Sequence, residues 1–186
     1  MEEKIRELFP ELEWISDEVL REKVVATYID ALKMGGWKVE DMDAIPFTLN
    51  IPDVPFSYLQ HVRGVTRMAK AAMDIFNDLY GKRVPGYMMD NDTLVAGALL
   101  HDVGKLLEYE NDAEGRVVRS KRGKSLRHPF SGAALALQNG CPDEVAHIIA
   151  THAREGDSGI RNPEAVLVNK ADYMHFDSVK SFKGIR

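Results

Sequence analysis

One stretch limits what the whole chain can become: Thr93 to Leu107, TLVAGALLHDVGKLL, in which Leu94, Val95, Ala96, Ala98, Leu99 and Leu100 run without a charge into His101, Asp102 and Lys105. A helix that is apolar on every side belongs inside a core. An unpaired carboxylate or imidazolium is costly there, so buried charges are paired with one another or held on a metal ion. Taken alone, His101 and Asp102 read as a hydrogen-bonded core pair. The other histidines decide whether that reading survives.

The chain is long enough to enclose such a helix. Its 186 residues, 45% of them hydrophobic, suffice for a full core, and the single Cys141 permits no intrachain disulfide. The opening MEEKIRELFPELEW carries acidic residues and a proline where a leader peptide needs a basic start and an apolar run. No uncharged stretch reaches the length of a membrane span. The expectation is a cytoplasmic protein without a membrane partner.

A formal net charge of −5 argues against general nucleic-acid binding, which needs a basic face. The local exception is the run Arg116, Arg119, Lys121, Arg122, Lys124 and Arg127, which follows the acidic Glu108, Glu110, Asp112 and Glu114. Such a segment is either a hairpin whose arms neutralise each other or a wall that faces an anion.

The remaining pattern is helical. Val19, Leu20, Val24, Val25, Tyr28, Ile29 and Leu32 make an apolar stripe over residues 17–33, stopped by Gly35 and Gly36. Pro46, Pro52 and Pro55 make residues 37–56 an irregular connector. A helix from Ser57 to Tyr80 turns His61, Val65, Met68, Ala72, Ile75 and Leu79 inward. The central helix begins near Asp90 or Asp92, and residues 108–119 suit a small hairpin around DAEG. His128-Pro129 opens the next helix, and Pro142 opens another with Val145, Ile148, Ile149 and His152 on one face and His147 on the solvent side. Asn162-Pro163 opens the last, where Ala165, Val168 and Asp172 share a face and His175 flanks it.

Separate helices thus aim His61, His101 with Asp102, His128, His152 and Asp172 at apolar faces. Burying four histidines and two aspartates independently would be costly several times over, whereas a shared metal centre removes the cost. Imidazole and carboxylate donors suit first-row transition ions, and a carboxylate shared between two ions describes a binuclear site. No cysteine takes part, which disfavours structural zinc.

At these residues the chain resembles the HD-domain superfamily of metal-dependent phosphohydrolases, in the order H…HD…H…H…D and in the HDxGK form of the central motif, His101 to Lys105. The resemblance implies an all-α helical bundle over residues 55–177, with an N-terminal helical extension and connector over residues 1–54, at most a short hairpin, and a tail over residues 178–186. It implies one ion on His61, His101, Asp102 and Asp172, and a second with His128 and His152 bridged by Asp102. The cofactor expected is one or two divalent ions of Fe, Mn, Ni, Co or Zn, with Mg a further option.

The reaction implied is hydrolysis of a phosphate ester, a nucleotide or related small phosphate, with Asp102 and Lys105 in catalysis. Lys105, Arg119, Lys121, Arg122 and Arg127 are substrate-binding candidates, and Lys105 has the alternative of reaching solvent from a helix end. The segment AREGDSGIRNP after His152 lacks the GYP signature of the cyclic-dinucleotide phosphodiesterases of this superfamily. Two other uses of the same fold stay open: a diiron oxygenase and a non-catalytic nucleotide sensor. Oligomeric state is left open.

Overall fold

A computed structural model describes residues 1–185. Helix α1 (Glu2–Leu8) and a 3-10 turn (Pro10–Trp14) lead into α2 (Glu18–Gly35). Asp17 caps α2 by accepting from the backbone N–H groups of Val19 and Leu20, and Gly36 ends it at φ 74°, a left-handed conformation that favours glycine. The proline-rich connector follows, and α3 (Tyr58–Phe76) starts in a capping box of Ser57 and Gln60. After α3 come α4 (Asn91–Leu100), the short α5 (Lys105–Glu108), and the antiparallel hairpin of β1 (Tyr109–Asn111) with β2 (Val117–Arg119). The turn α6 (Lys121–Ser125), then α7 (His128–Gln138), α8 (Asp143–Thr151) and α9 (Pro163–Phe182) complete an all-α bundle. Among the described residues no helix is long and apolar enough to cross a membrane.

The axis of the bundle is α4, every residue of which from Leu94 to Leu100 is buried. It packs against α2, α3, α8 and α9, which accounts for an apolar run with no polar side. Ile5, Phe9, Leu12 and Ile15 join the same core cluster as α4, so the N-terminal segment is packed onto the bundle rather than beside it. The buried Glu11 carboxylate reinforces that junction by accepting from Arg63 and Arg67 of α3, at 3.1 and 2.6 Å.

A second junction is polar. Asp92, in the first turn of α4, accepts from Ser16 N at 3.0 Å, Ser16 Oγ at 2.7 Å and Asp17 N at 2.8 Å, tying the start of α2 to the start of α4. Burial pushes the Asp92 carboxyl up, but the bonds from Ser16 and Asp17 outweigh it and bring its pKa down to about 2. A pKa lower in the folded than in the unfolded chain stabilises above the unfolded value, and the gain is lost as pH falls through the folded one. Asp92→Asn is therefore expected to cost about 1 kcal/mol at pH 7, a figure kept small by the solvent at this site. The difference from the wild type should shrink between about pH 4 and pH 2, as urea titrations across that range would show.

The structure differs from the sequence reading in five places. The inward face of α3 follows His61, Val62, Val65, Thr66, Ala69 and Met73, while Ile75 and Leu79 are exposed because α3 and its π-helical continuation (Asn77–Gly81) run on past the end of the packed core. On α2, Val19 is exposed and Thr27 and Ala31 are buried instead. The central helix is not continuous to Leu107. It breaks at residues 101–104, where Val103 N bonds Leu100 O at 3.0 Å and Lys105 N bonds Asp102 O at 2.8 Å, so each bond spans three residues instead of four and the turn is tighter. His147 is half-buried, accepting from Asn162 N at 3.3 Å rather than facing open solvent. Finally, α9 continues past residue 177, and Val179 is buried with Phe47 and Ile51.

Candidate metal centre

The break after α4 is what builds the centre. His101 and Asp102 stand on the tightened turn rather than on consecutive positions of a straight helix, and both reach the same buried space, with His101 Nε2 3.4 Å from Asp102 Oδ2. His61 comes from the first turn of α3, His128 from the first residue of α7, His152 from the end of α8, and Asp172 from the middle of α9. Apart from Asp172, whose side chain is 17% accessible, all of them are buried.

The six side chains form two groups that meet at Asp102. On one side, His61 Nε2 lies 3.2 Å from His101 Nε2, 3.1 Å from Asp172 Oδ1 and 3.1 Å from Asp102 Oδ2. On the other, His128 Nε2 lies 3.3 Å from His152 Nε2, and Asp102 Oδ1 lies 3.2 and 3.5 Å from those two nitrogens. Donors about 2.1 Å from a common ion stand about 3.0 Å apart in octahedral and about 3.4 Å apart in tetrahedral coordination. The observed spacings fall in that band, and each Asp102 oxygen faces its own group.

Protonation makes the same point. His101 Nδ1 donates to Ala98 O and His152 Nδ1 to Ile149 O, both at 2.7 Å, while His128 Nδ1 donates to Glu108 Oε2 at 2.9 Å. In their neutral forms these three rings turn Nε2 lone pairs into the centre. His61 is anchored through Nδ1 to Nδ1 of His175 at 2.8 Å. Lone pairs and carboxylates facing one another in a dry space require a cation between them, so the donor set fits divalent ions.

The charges are arranged to match. Burial opposes ionisation of Asp102, yet Lys105 and His101 hold its carboxyl well below the carboxylate range; His61 does the same for Asp172. Burial opposes a charge on His61, but Asp102 and Asp172 together raise its pKa, a proton taking the place that a metal cation would fill. His128 is pushed down to about 4 by burial, which keeps its lone pair free at neutral pH.

Lys105 turns inward instead of extending from the helix end into bulk solvent. Its Nζ donates to Asp102 Oδ2 at 2.6 Å and to Phe47 O at 2.7 Å, and Asp102 raises its pKa to about 12 against the effect of burial. Phe47 in turn stacks on His61 with ring centroids 4.7 Å apart. The irregular connector is thus one wall of the site.

Above the centre opens a pocket of about 480 Å³, within the usual range for a small-molecule site. The buried Asp102, Lys105 and His128, with Asp172, line its floor; Arg119 and Arg127, both bonded to Glu108, line one wall, and Arg154, Phe47, Tyr173 and Phe176 are also in its lining. Of the basic candidates, Arg119 and Arg127 are in this lining, whereas Lys121 and Arg122 are exposed on α6. Sequence reasoning missed Glu108, Phe47, Arg154 and the buried Asn169, whose Nδ2 donates to His152 O at 2.6 Å. Glu108 had one local signal, an acid directly after the apolar pair Leu106-Leu107 and three residues beyond Lys105.

An all-α bundle that closes around paired histidine and aspartate clusters defines a class of helical metalloprotein. The chain belongs to the HD-domain family, whose model matches residues 58–177. It is 29% identical over 173 residues to the dihydroneopterin 2',3'-cyclic phosphate phosphodiesterase of Methanocaldococcus jannaschii, a match covering 86% of this chain and 64% of that protein. It is 26% identical over 147 residues to the 3'-5' exoribonuclease YhaM of Bacillus subtilis, covering 75% of this chain and 42% of that one. Ribonuclease Y of Acidothermus cellulolyticus is 37% identical over 84 residues, 45% of this chain and 14% of its own length. The chain thus spans less than two thirds of the length of each of these relatives. No solved structure matches at the same stringency.

Proposed function

We propose that this chain is a metal-dependent phosphohydrolase that cleaves a phosphodiester of a nucleotide or nucleotide-like small molecule. The observation that carries the reading is Asp102, whose two oxygens face two separate donor groups at the floor of a pocket flanked by Lys105, Arg119 and Arg127. In this reading His61, His101, Asp102 and Asp172 hold one ion, and Asp102, His128 and His152 hold the other. The activities of the similar proteins, a cyclic-phosphate phosphodiesterase and two ribonucleases, all concern phosphodiesters, which favours a diester over a monoester.

Divalent ions in these positions supply Lewis acidity towards phosphoryl oxygen and lower the pKa of water. The protein does the rest. Lys105, fixed between Asp102 and Phe47 O, keeps a positive charge at the pocket floor without reorganising, where negative charge grows on the phosphoryl group. Arg119 and Arg127 hold the substrate's anionic group against the floor, and the lining beside Phe47 and Phe176 takes its apolar body. Asp102 and Asp172 stay ionised and His128 stays neutral at working pH, so the His128 side needs no proton removed before it can act, whereas on the other side the proton that Asp102 and Asp172 favour on His61 gives way to an ion.

The test is hydrolysis of bis(p-nitrophenyl) phosphate and of 2',3'-cyclic nucleotides by protein loaded with Mn²⁺, alongside metal analysis. About two ions per chain with diester cleavage is the expected result. Iron retention with oxygen uptake and no phosphate chemistry would overturn it in favour of an oxygenase.

A further inference from the structure

Glu108 is a buried carboxylate that the reaction as described leaves without a task. Its side chain is 1% accessible. Oε2 accepts from His128 N at 2.8 Å and from His128 Nδ1 at 2.9 Å. Oε1 accepts from Arg119 Nε at 3.0 Å and from Arg127 Nη1. Four donors converge on it, two of them from guanidinium groups, which is the surrounding of a carboxylate anion.

The surroundings are built for it. Gly123 of α6 lies against it so closely that a Cβ there would stand 2.3 Å from Glu108 O and 2.6 Å from its Cγ. Ser120 N donates to Glu108 O at 2.8 Å, and Ser120 Oγ in turn caps α6 by accepting from Gly123 N at 2.9 Å. The basic segment is therefore folded over Glu108, and α6 shuts the carboxylate off from water.

A buried ion pair is not required for stability, since an apolar replacement of similar volume often serves as well. Here each side-chain partner of the carboxylate faces the pocket: His128 the centre, Arg119 and Arg127 the wall. We propose that Glu108 is a positioning residue with two linked tasks, resting on the reading of this site as a two-ion phosphodiesterase. It fixes His128 with Nε2 towards the Asp102, His128 and His152 group, and it holds Arg119 and Arg127 at the height of the substrate's anionic group. A carboxylate behind a metal-bound imidazole orients the ring and raises its basicity. Because one carboxylate does both, the ion on that side and the anion-binding wall are set at a common distance.

Two consequences separate this role from a structural one. Loss of the charge in Glu108→Gln weakens one ion site and not the other, and it raises KM through the arginines. Arg127→Gln leaves the Glu108–His128 bonds in place and so raises KM alone.

The experiment is a Co²⁺ titration followed by visible absorption on the full chain, paired with bis(p-nitrophenyl) phosphate kinetics. His152→Ala identifies which binding phase belongs to the Asp102, His128 and His152 group. Glu108→Gln is expected to lower the affinity of that phase by about 10- to 100-fold and leave the other in place. Glu155→Gln, which removes a partner of Arg127 that does not touch His128, should leave both phases in place. Arg127→Gln is expected to raise KM about tenfold with both Co²⁺ phases unchanged, and it keeps the test decisive should Glu108→Gln fail to fold.

Wild-type-like Co²⁺ binding by Glu108→Gln, an equal fall in both phases, or an unchanged KM in Arg127→Gln overturns the proposal. Absence of Co²⁺ binding or diester cleavage in the wild type instead overturns the two-ion phosphodiesterase reading on which it rests.

Discussion

Asp102→Ala is expected to abolish ion binding on both sides of the centre and to reduce diester hydrolysis by about 10³-fold or more, the equivalent of several kcal/mol of transition-state stabilisation. Its two oxygens lie 3.1 Å from His61 Nε2 and 3.2 Å from His128 Nε2, so this one carboxylate supplies a donor to each group. The same change orphans Lys105. With its 2.6 Å partner gone, the buried ammonium keeps only Phe47 O, and an uncompensated buried charge costs about 3–5 kcal/mol. Asp102→Asn separates the two effects by leaving Lys105 an acceptor while removing the bridging charge. Elemental analysis and thermal melts with and without Mn²⁺ give the readout. The wild type should gain Tm with the ion, because an ion that binds only the folded state stabilises it. Neither variant should show that gain, and either one retaining two ions would remove Asp102 from the role assigned to it.

Gly104→Ala is expected to have the next largest effect, and for a packing reason. A Cβ at residue 104 would stand 2.1 Å from His128 O and 2.8 Å from Gly132 N, all backbone of α7's first turns. No rotamer relieves a clash with backbone, so α7 must withdraw from the turn that carries Asp102. Overpacking of this kind costs about 3 kcal/mol. For a domain of this size that corresponds to a fall in Tm of about 6–12 °C. The movement also carries His128 Nε2 away from Asp102 Oδ1, now at 3.2 Å, so ion binding on that side should weaken together with stability. Gly64→Ala is the opposite control. Gly64 sits inside α3 with nothing within 4 Å of the new methyl group, and a helix-interior alanine should stabilise by about 0.5–1 kcal/mol. If Gly104→Ala melts and binds ions like the wild type, the close approach of the turn to α7 is not what shapes the centre.

The glycine in the motif therefore has a physical meaning that the motif alone does not convey. Read as letters, His101 to Lys105 ends an apolar helix. In the molecule it is a tightened turn between α4 and α5, pressed against α7, and the break lets His101 and Asp102 converge. The expectation of a continuous helix failed because i to i−3 bonding over a few residues leaves no trace in hydrophobic periodicity. The α3 stripe failed at Ile75 and Leu79 for a related reason: periodicity shows that a helix has an apolar face, but not how far along the helix a neighbour covers it.

Lys105 is the clearest case of one residue with two readings. From spacing alone it suits a lysine at the end of a helix with its head in water. Phe47, 58 residues earlier, supplies the carbonyl that holds it inside. The connector that carries Phe47 looked irregular because prolines deny it regular structure, yet its irregularity lets a backbone carbonyl face the site.

Local sequence determines the elements and the donors of this protein. Helical periodicity, caps at Asp17, Ser57, Asp90 and Asn162, and prolines at helix starts depend on residues within a few positions of each other, so the helices and the faces bearing His61, His152 and Asp172 are legible without coordinates. Tertiary structure alone decides how the faces meet. That Asp102 gives one oxygen to each donor group, that Glu108 joins His128 to two arginines, and that His175 anchors His61 all depend on distances held to within a few tenths of an ångström between residues 11 to 114 positions apart. Such distances are set by close packing of whole helices, which sums the fit of every side chain in the core and cannot be read from any one stretch of chain.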